Sequence, residues 1–245
     1  MSSDARAQVP APGRLYLVPM PLGDMSPEEC LPVSTLRVVG SLRHFIAENA
    51  RTARRFLTRV PLAAPIRELV IEELNEHTPT GAIPALLQAV LAGMDAGLVS
   101  EAGCPVVADP GAGLVALAHR RGVQVIPLIG PSAPLLALMA SGLSGQSFRF
   151  AGYLPQEPTA RDAALVQLDE DARRNRCAQI FIETPYRNAT MLEAILLNCR
   201  RDTLLAVAID LTLPTEEVIT RPVRDWIASP RPSLHRRPAV FVIGA

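Results

Sequence analysis

Short apolar runs alternate with longer segments of helical periodicity along most of this chain. In the first half, five apolar runs have the length of buried strands, at 14–18, 44–47, 68–71, 97–100 and 123–127. Apolar residues recur at helical spacing between and after them, at about 50–59, 80–93, 109–121 and 131–140. Strands that alternate with helices predict a parallel α/β sheet, and fully apolar strands predict a sheet covered on both faces.

A second set of elements follows a small, polar, glycine-rich stretch at 140–146. Its predicted strands are 148–153, 178–183, 204–209 and 239–243, with helices at about 160–174, at 188–198 and near Trp226. Such a break between two sets of elements predicts an interdomain linker. We therefore predict two α/β domains, at 13–143 and 146–245, after a disordered, alanine- and proline-rich N-terminus at 1–12.

The composition excludes several classes of protein. The chain of 245 residues is 49% hydrophobic, has a formal net charge of zero and contains no lysine. Without lysine there is no Schiff base to pyridoxal phosphate and no Walker A loop. A neutral chain has no long-range attraction for nucleic acid, so any RNA contact must come from a local patch. We find no apolar run of membrane-spanning length and no signal-peptide pattern, which predicts a cytoplasmic protein.

Neither a metal site nor a dinucleotide site is indicated. The four cysteines and four histidines are dispersed, and no pair of them has the spacing of a zinc knuckle or a redox motif. We therefore predict no metal site. No Gly-x-Gly-x-x-Gly follows the first predicted strand, which argues against a Rossmann dehydrogenase.

Polar or Gly/Pro turns follow the predicted strands of the first domain. In an open parallel sheet the carboxyl ends of the strands form one rim, and ligands bind there. Proline and glycine fix such turns and leave backbone N–H and C=O groups open to a ligand. Alternatively, these residues only punctuate ordinary loops. The turns are 21–24, 48–51, 75–77, 100–105 and 130–133, with 183–187 in the second domain.

Four of these segments carry a resemblance to a known family. In order, they read LYLVPMPLGD at 15–24, VSEAGCP at 99–105 with DPG at 109–111, IGPSA at 129–133 and ETPYR at 183–187. This motif set resembles that of the tetrapyrrole methylase superfamily, the class III S-adenosylmethionine-dependent methyltransferases. Within the superfamily it is most similar to the branch that 2′-O-methylates a cytidine of small-subunit ribosomal RNA. The resemblance extends from about residue 14 to the end of the chain.

The resemblance implies a homodimer whose subunits have two α/β domains, a mostly parallel sheet in the first, and the methyl donor S-adenosylmethionine in a cleft between the domains. It also implies that most donor contacts come from the backbone. The donor-binding residues that it implies are Leu22, Gly23, Gly103, Cys104, Pro105, Val107, Ser132, Ala133 and Thr184.

The sequence departs from that branch on the acceptor side. Glu-Asp-Thr-Arg of the branch is replaced by Glu48-Asn-Ala-Arg51, and Pro-His-Arg by Pro-Tyr-Arg at 185–187. Three functions therefore stay open. The first is methylation of an RNA 2′-hydroxyl, the second is methylation of a small molecule such as a tetrapyrrole, and the third is donor binding without turnover.

Methyl transfer to a hydroxyl requires a group that takes its proton. The catalytic residues that we predict are Glu48, Arg51, His77 and Glu101. Glu48 ends an apolar strand, where burial would raise its pKa, but it could instead form an ion pair with Arg51. His77 could be a base or a solvated turn residue. Two further candidates have simpler explanations. Glu183 could serve merely as the ion-pair partner of Arg187, and Cys104 could serve merely to fill space in the protein interior.

Four arginines share one face of the helix predicted at 50–59. They are Arg51, Arg54, Arg55 and Arg59. Such a stripe could bind the phosphates of RNA or could be an ordinary solvated face. No aromatic residue interleaves with it, as stacking on bases would require.

Overall fold

The computed structural model describes residues 11–244, and the contacts among them divide the chain into two compact units. The first unit holds residues up to Pro21 and 25–131, and the second holds 22–24 and 132 onward. The first ten residues of the segment predicted to be disordered, and residue 245, lie outside the described residues. The division falls before the glycine-rich stretch at 140–146, because Ala137 and Leu138 pack into the core of the second unit. The predicted domain boundaries stay a prediction.

The first unit is built on a five-stranded parallel sheet. Its strands are β1 (Arg14–Val18), β2 (His44–Ala47), β3 (Val70–Glu73), β4 (Ala96–Val99) and β5 (Gln124–Pro127). They are ordered β3-β2-β4-β1-β5, and every neighbouring pair is parallel. All five carboxyl ends therefore lie at one rim of this sheet.

Helices cover both faces of that sheet. They are α1 (Pro27–Cys30), α2 (Val33–Ser41), α3 (Ala50–Leu57), α4 (Ile83–Leu86), α5 (Gln88–Leu91) and α6 (Ala112–Arg120). Successive side chains of β2 point to opposite faces of the sheet. Phe45 accordingly packs in one cluster with Phe56 of α3, and Ile46 packs in another with Leu114 of α6.

The second unit contains a mixed five-stranded sheet. Its strands are β6 (Phe148–Tyr153), β7 (Ala178–Ile182), β8 (Leu204–Ile209), β9 (Glu217–Pro222) and β10 (Ala239–Gly244). The order is β6-β7-β10-β8-β9, in which only β6 and β7 run parallel. The helices are α7 (Ala133–Ser141), α8 (Pro158–Asn175), α9 (Asn188–Asn198) and α10 (Val223–Ala228). The central strand β10 is tied to β7 by stacked rings of Phe181 and Phe241, whose centroids are 5.6 Å apart.

The α/β prediction is confirmed, with local differences. The helix predicted at 80–93 is a 3₁₀ turn followed by α4 and α5, because the chain departs from regular helix at Leu87. Helix α2 and strand β9 were not predicted. None of the described helices is long and apolar enough to cross a bilayer.

Candidate active site

The rim of the first sheet is held together by hydrogen bonds between two of its turns. The backbone N–H of Met20, after β1, donates to the carbonyl of Gly103 at 2.8 Å, and the Gly103 N–H donates to the Met20 carbonyl at 3.1 Å. The hydroxyl of Ser100, which is buried, lies 3.4 Å from the same Gly103 carbonyl. The start of the loop after β4 is therefore fixed to the turn after β1.

This loop has an unusual backbone between β4 and α6. Four residues lie in the left-handed region, with φ of 68° at Gly103, 74° at Val106, 62° at Ala108 and 126° at Gly111. Such angles suit glycine but cost about 1–3 kcal/mol at residues with a side chain. The intervening Val107 is 45% exposed. The fold thus maintains a strained loop that presents an apolar side chain to its surroundings.

Three carboxyl groups interact beside this loop. Burial raises the pKa of Asp109 to about 7, and the nearby charge of Glu48 adds to the effect. Burial also raises the pKa of Glu48, helped by the charge of Glu101. The Oε2 atom of Glu48 is buried and has no hydrogen-bond partner among the described residues. Asp109 therefore keeps its proton up to about pH 7, because burial and the charge of Glu48 disfavour its ionised form.

The segment that replaces Glu-Asp-Thr-Arg has a structural role of its own. The Asn49 side chain caps α3, since its Oδ1 accepts the backbone N–H groups of Arg51 at 2.9 Å and Thr52 at 3.1 Å. The hydroxyl of Thr52 donates to Oε1 of Glu101 at 3.2 Å. In the described part of the chain Glu48 forms no ion pair with Arg51, which is exposed. The proposed Glu48–Arg51 pairing is therefore not what the structure shows.

Replacing Asn49 by alanine is expected to lower the free energy of unfolding by about 1 kcal/mol, because two N–H groups of α3 lose their acceptor. Asn49→Asp keeps the acceptor and adds a charge that the helix N-terminus favours, so we expect its stability to equal or exceed that of the wild type. Urea denaturation of both variants tests this. Equal losses in the two variants would contradict a capping role.

The remaining predicted catalytic residue in the first unit, His77, lies apart from the carboxyl group. It occupies an exposed turn after β3, where its backbone N–H donates to Oδ1 of Asn75 at 3.0 Å. Its Nε2 is 3.6 Å from Oε1 of Glu76, and its side chain is 84% exposed. These contacts favour the solvated-turn interpretation.

Cys104 and Glu183 each have a structural explanation. The Cys104 thiol donates to the carbonyl of Pro131 at 3.4 Å, and burial raises its pKa, which disfavours a thiolate nucleophile. The buried Glu183 carboxylate forms an ion pair with Arg187 and accepts the N–H of Thr184 at 2.6 Å. Glu183 therefore fixes the turn after β7 and does not serve as a free base.

Five of the predicted donor-binding residues belong to the second unit. Ser132 precedes α7 in the N-cap position, but its side chain makes no capping hydrogen bond. Leu22 packs against the core next to α7, together with Ala133. At Gly23 a Cβ would lie 2.8 Å from the Cδ1 and Cδ2 atoms of Leu213, so a larger residue there would displace that leucine side chain. Thr184 is exposed.

The residue missed by the sequence analysis is Asp109. The predicted acids were those directly after strands, whereas Asp109 follows β4 by ten residues and returns to the rim through the left-handed turns. A signal did exist, because Asp109 belongs to the DPG tripeptide that opens a helix directly after a Gly/Pro-rich loop.

Sequence comparison with known proteins identifies the family to which this chain belongs. No protein-family model matches the sequence. The ribosomal RNA small subunit methyltransferase I of Vibrio cholerae is 32% identical over 222 residues, covering 87% of this chain and 71% of the relative. The protein of the same name from Escherichia coli O157:H7 is 30% identical over 231 residues, covering 94% and 77%. The chain belongs to the ribosomal RNA small subunit methyltransferase I family. Membership confirms the predicted methyltransferase and the branch.

The chain spans only part of the length of the curated relatives that it matches. It spans 60% of the relative from Halalkalibacterium halodurans and 77% of the one from Escherichia coli. We therefore treat the substrate of these longer relatives only as a proposal for this chain.

Solved structures confirm the fold of this family member. The crystal structure of the methyltransferase CobJ has a TM-score of 0.64 at 18% identity, covering 95% of this chain and 94% of that one. The uroporphyrin-III C-methyltransferase of Thermus thermophilus, complexed with S-adenosylhomocysteine, has a TM-score of 0.57 at 18% identity, covering 95% and 97%. These likenesses show the tetrapyrrole methylase fold.

Proposed function

We propose that this protein transfers a methyl group from S-adenosylmethionine to a 2′-hydroxyl of small-subunit ribosomal RNA. The names of its relatives support the acceptor, and a neighbour that binds S-adenosylhomocysteine supports the donor. We also propose that it is cytoplasmic and acts as a homodimer, as the family resemblance implies.

The donor-binding residues that the resemblance implies fall in both units. In the first unit these are Gly103, Cys104, Pro105 and Val107, in a loop whose backbone is held in a strained shape. In the second unit, Ser132 makes no capping hydrogen bond to α7, so its hydroxyl and the N–H of Ala133 suit a carboxylate. These groups fit a donor that carries a carboxylate and is bound mainly through hydrogen bonds to backbone groups. Bound S-adenosylmethionine supplies an activated methyl group.

The chain itself would remove the acceptor proton. A general base works best when its pKa lies near the operating pH, and among the three interacting carboxyls Asp109 meets that condition. Burial raises the pKa of Asp109, the charges of Glu48 and Glu101 add to the rise, and the Ser100 hydroxyl opposes it. In this proposal Asp109 accepts the proton, and the charges of Glu48 and Glu101 help to raise its pKa.

The observation that carries the proposal is the position of Asp109, a carboxyl with a pKa of about 7 in the loop that the resemblance assigns to the donor. A base at that place would serve methyl transfer to a hydroxyl. A protein that only bound the donor would have no use for it.

Two measurements on the wild-type protein test the proposal. Calorimetric titration with S-adenosylhomocysteine is expected to show micromolar binding that changes little between 50 and 300 mM salt. Radiolabelled methyl groups should then transfer to ribosomal RNA from a strain that lacks this methylation. Absence of binding at millimolar ligand would contradict the donor site. Binding without transfer, to free RNA or to small ribosomal subunits, would contradict the acceptor and favour a donor-binding protein.

A further inference from the structure

Helix α3 has a basic face and an apolar face. Its buried residues Ala53, Phe56 and Leu57 lie on one side, against the sheet. With 3.6 residues per turn, the arginines at 51, 54 and 55 project from the opposite side, and all three are exposed. Arg59, just beyond the helix, extends the same face and donates from Nη1 to the carbonyl of Met25 at 3.2 Å.

This face has a concentrated positive charge in a neutral protein. Between residues 49 and 67 the sequence contains five arginines and no acidic residue, whereas the whole chain has as many acids as bases. A local cluster of this kind produces a positive potential that the net charge does not reveal. Guanidinium groups also match phosphate oxygens in geometry.

The position of the face connects it to the candidate active site. Helix α3 begins at the carboxyl end of β2, directly after Glu48, and its first turn is bonded to Glu101 through Thr52. The arginines therefore start at the rim that holds the acidic carboxyls and continue along one face of the first unit.

We propose that the exposed face of α3 binds the phosphate backbone of the RNA substrate and leads the strand to the rim beside Asp109. This inference rests on the proposed function and adds to it the surface that holds the acceptor. No exposed aromatic side chain occurs between residues 49 and 67, since Phe56 is buried. The surface therefore contacts phosphates and does not read bases, and its binding is electrostatic.

The test compares the wild type with three arginine variants. The double variant Arg54→Gln/Arg55→Gln removes two charges from α3, and the single variant Arg54→Gln removes one. The matched control is Arg120→Gln/Arg121→Gln, which removes two exposed charges at the end of α6, on the other face of the same sheet. Arg51 is left in place because the sequence predicts a catalytic role for it.

Binding of a fluorescein-labelled 20-nucleotide oligocytidylate is followed by anisotropy between 50 and 200 mM salt. Each phosphate contact on a single strand contributes about 0.7 to the slope of log affinity against log salt. We expect the slope to flatten by about 1.4 in the double variant, by about 0.7 in the single variant and not at all in the control. At 50 mM salt the double variant should bind at least about ten-fold more weakly.

Thermal unfolding and titration with S-adenosylhomocysteine verify that the variants keep their fold and donor binding. Wild-type binding with equal slopes in all four proteins would overturn the proposed surface and leave the methyltransferase proposal intact. Donor binding without any oligonucleotide binding by the wild type would overturn the proposed RNA surface. Failure of the proposed function itself is detected separately, as absence of methyl transfer by the wild type.

Discussion

Replacing Asp109 by asparagine is expected to slow methyl transfer by about 10²–10⁴-fold at pH 8, the usual range for loss of a general base. The amide has nearly the same shape as the carboxyl but cannot accept the proton of the acceptor hydroxyl. Initial rates with radiolabelled donor and saturating RNA measure the effect, and the affinity for S-adenosylhomocysteine should change little. Glu68→Gln, at an exposed acid of the first unit, is the control and should retain full activity.

The pH dependence identifies the group responsible. The wild-type rate should rise with pH to a plateau above about 7, as Asp109 loses its proton. The Asp109→Asn variant should lack that rise. If the variant rate were within about three-fold of the wild-type rate, another group, such as Glu48, would have to be the base that accepts the proton of the acceptor hydroxyl.

The same substitution has a predictable effect on stability. In the unfolded chain Asp109 has an ordinary pKa of 3.8, and in the folded protein it is about 7. Between these values the folded state holds a proton that the unfolded state has lost, so stability falls as the pH rises and then stays level above 7. Asp109→Asn removes this penalty. After discounting for the partial exposure of the group, we expect the variant to gain roughly 1–2 kcal/mol at pH 8 and less at pH 5.

Gly130→Ala is expected to lower the free energy of unfolding by about 1–3 kcal/mol, the usual range for forcing a methyl group into filled space. A Cβ at Gly130 would lie 2.3 Å from Cγ and 2.4 Å from Cβ of Pro19, and 2.9 Å from Cδ2 of Leu31. The proline ring cannot rotate away, so the turn after β1 would have to move. Urea denaturation measures the loss.

Gly81→Ala is the matched control for that experiment, because a Cβ at Gly81 meets nothing within 4 Å. It should leave stability unchanged or raise it slightly. If Gly130→Ala lowered the free energy of unfolding by less than about 0.5 kcal/mol, the turn after β1 would have to move easily to accommodate the new methyl group, which would contradict the prediction.

The sequence predicted those elements whose apolar pattern is strong. Strands β2, β6 and β8 have the predicted bounds because each is a run that begins or ends at a polar or glycine-containing turn. Strand β9 escaped prediction because, at the edge of its sheet, it mixes polar and apolar residues with half-exposed side chains. Helix α2 starts without a side-chain cap, so the usual signal for a helix start is missing there.

The sequence predicted only those site residues that directly follow a strand, because the ends of parallel strands lie close together at one rim. Glu48 and Glu101 follow neighbouring strands of a parallel sheet, so their meeting at one rim could be expected. Asp109 reaches the same rim because the loop turns back at Val106 (φ 74°) and Ala108 (φ 62°). Valine and alanine rarely adopt such angles, so the sequence does not predict this turn. The cap made by Asn49 depends on the rotamer of its side chain, which residue spacing alone does not show.

The central position of β10 has a consequence for synthesis of the protein. Strand β10 pairs with both β7 and β8, so neither can complete its hydrogen bonds until residues 239–244 have left the ribosome. The first sheet needs nothing beyond β5 and can form much earlier in translation. During that interval β7 and β8 present open, apolar edges, on which a nascent chain is vulnerable to misassociation and to capture by chaperones.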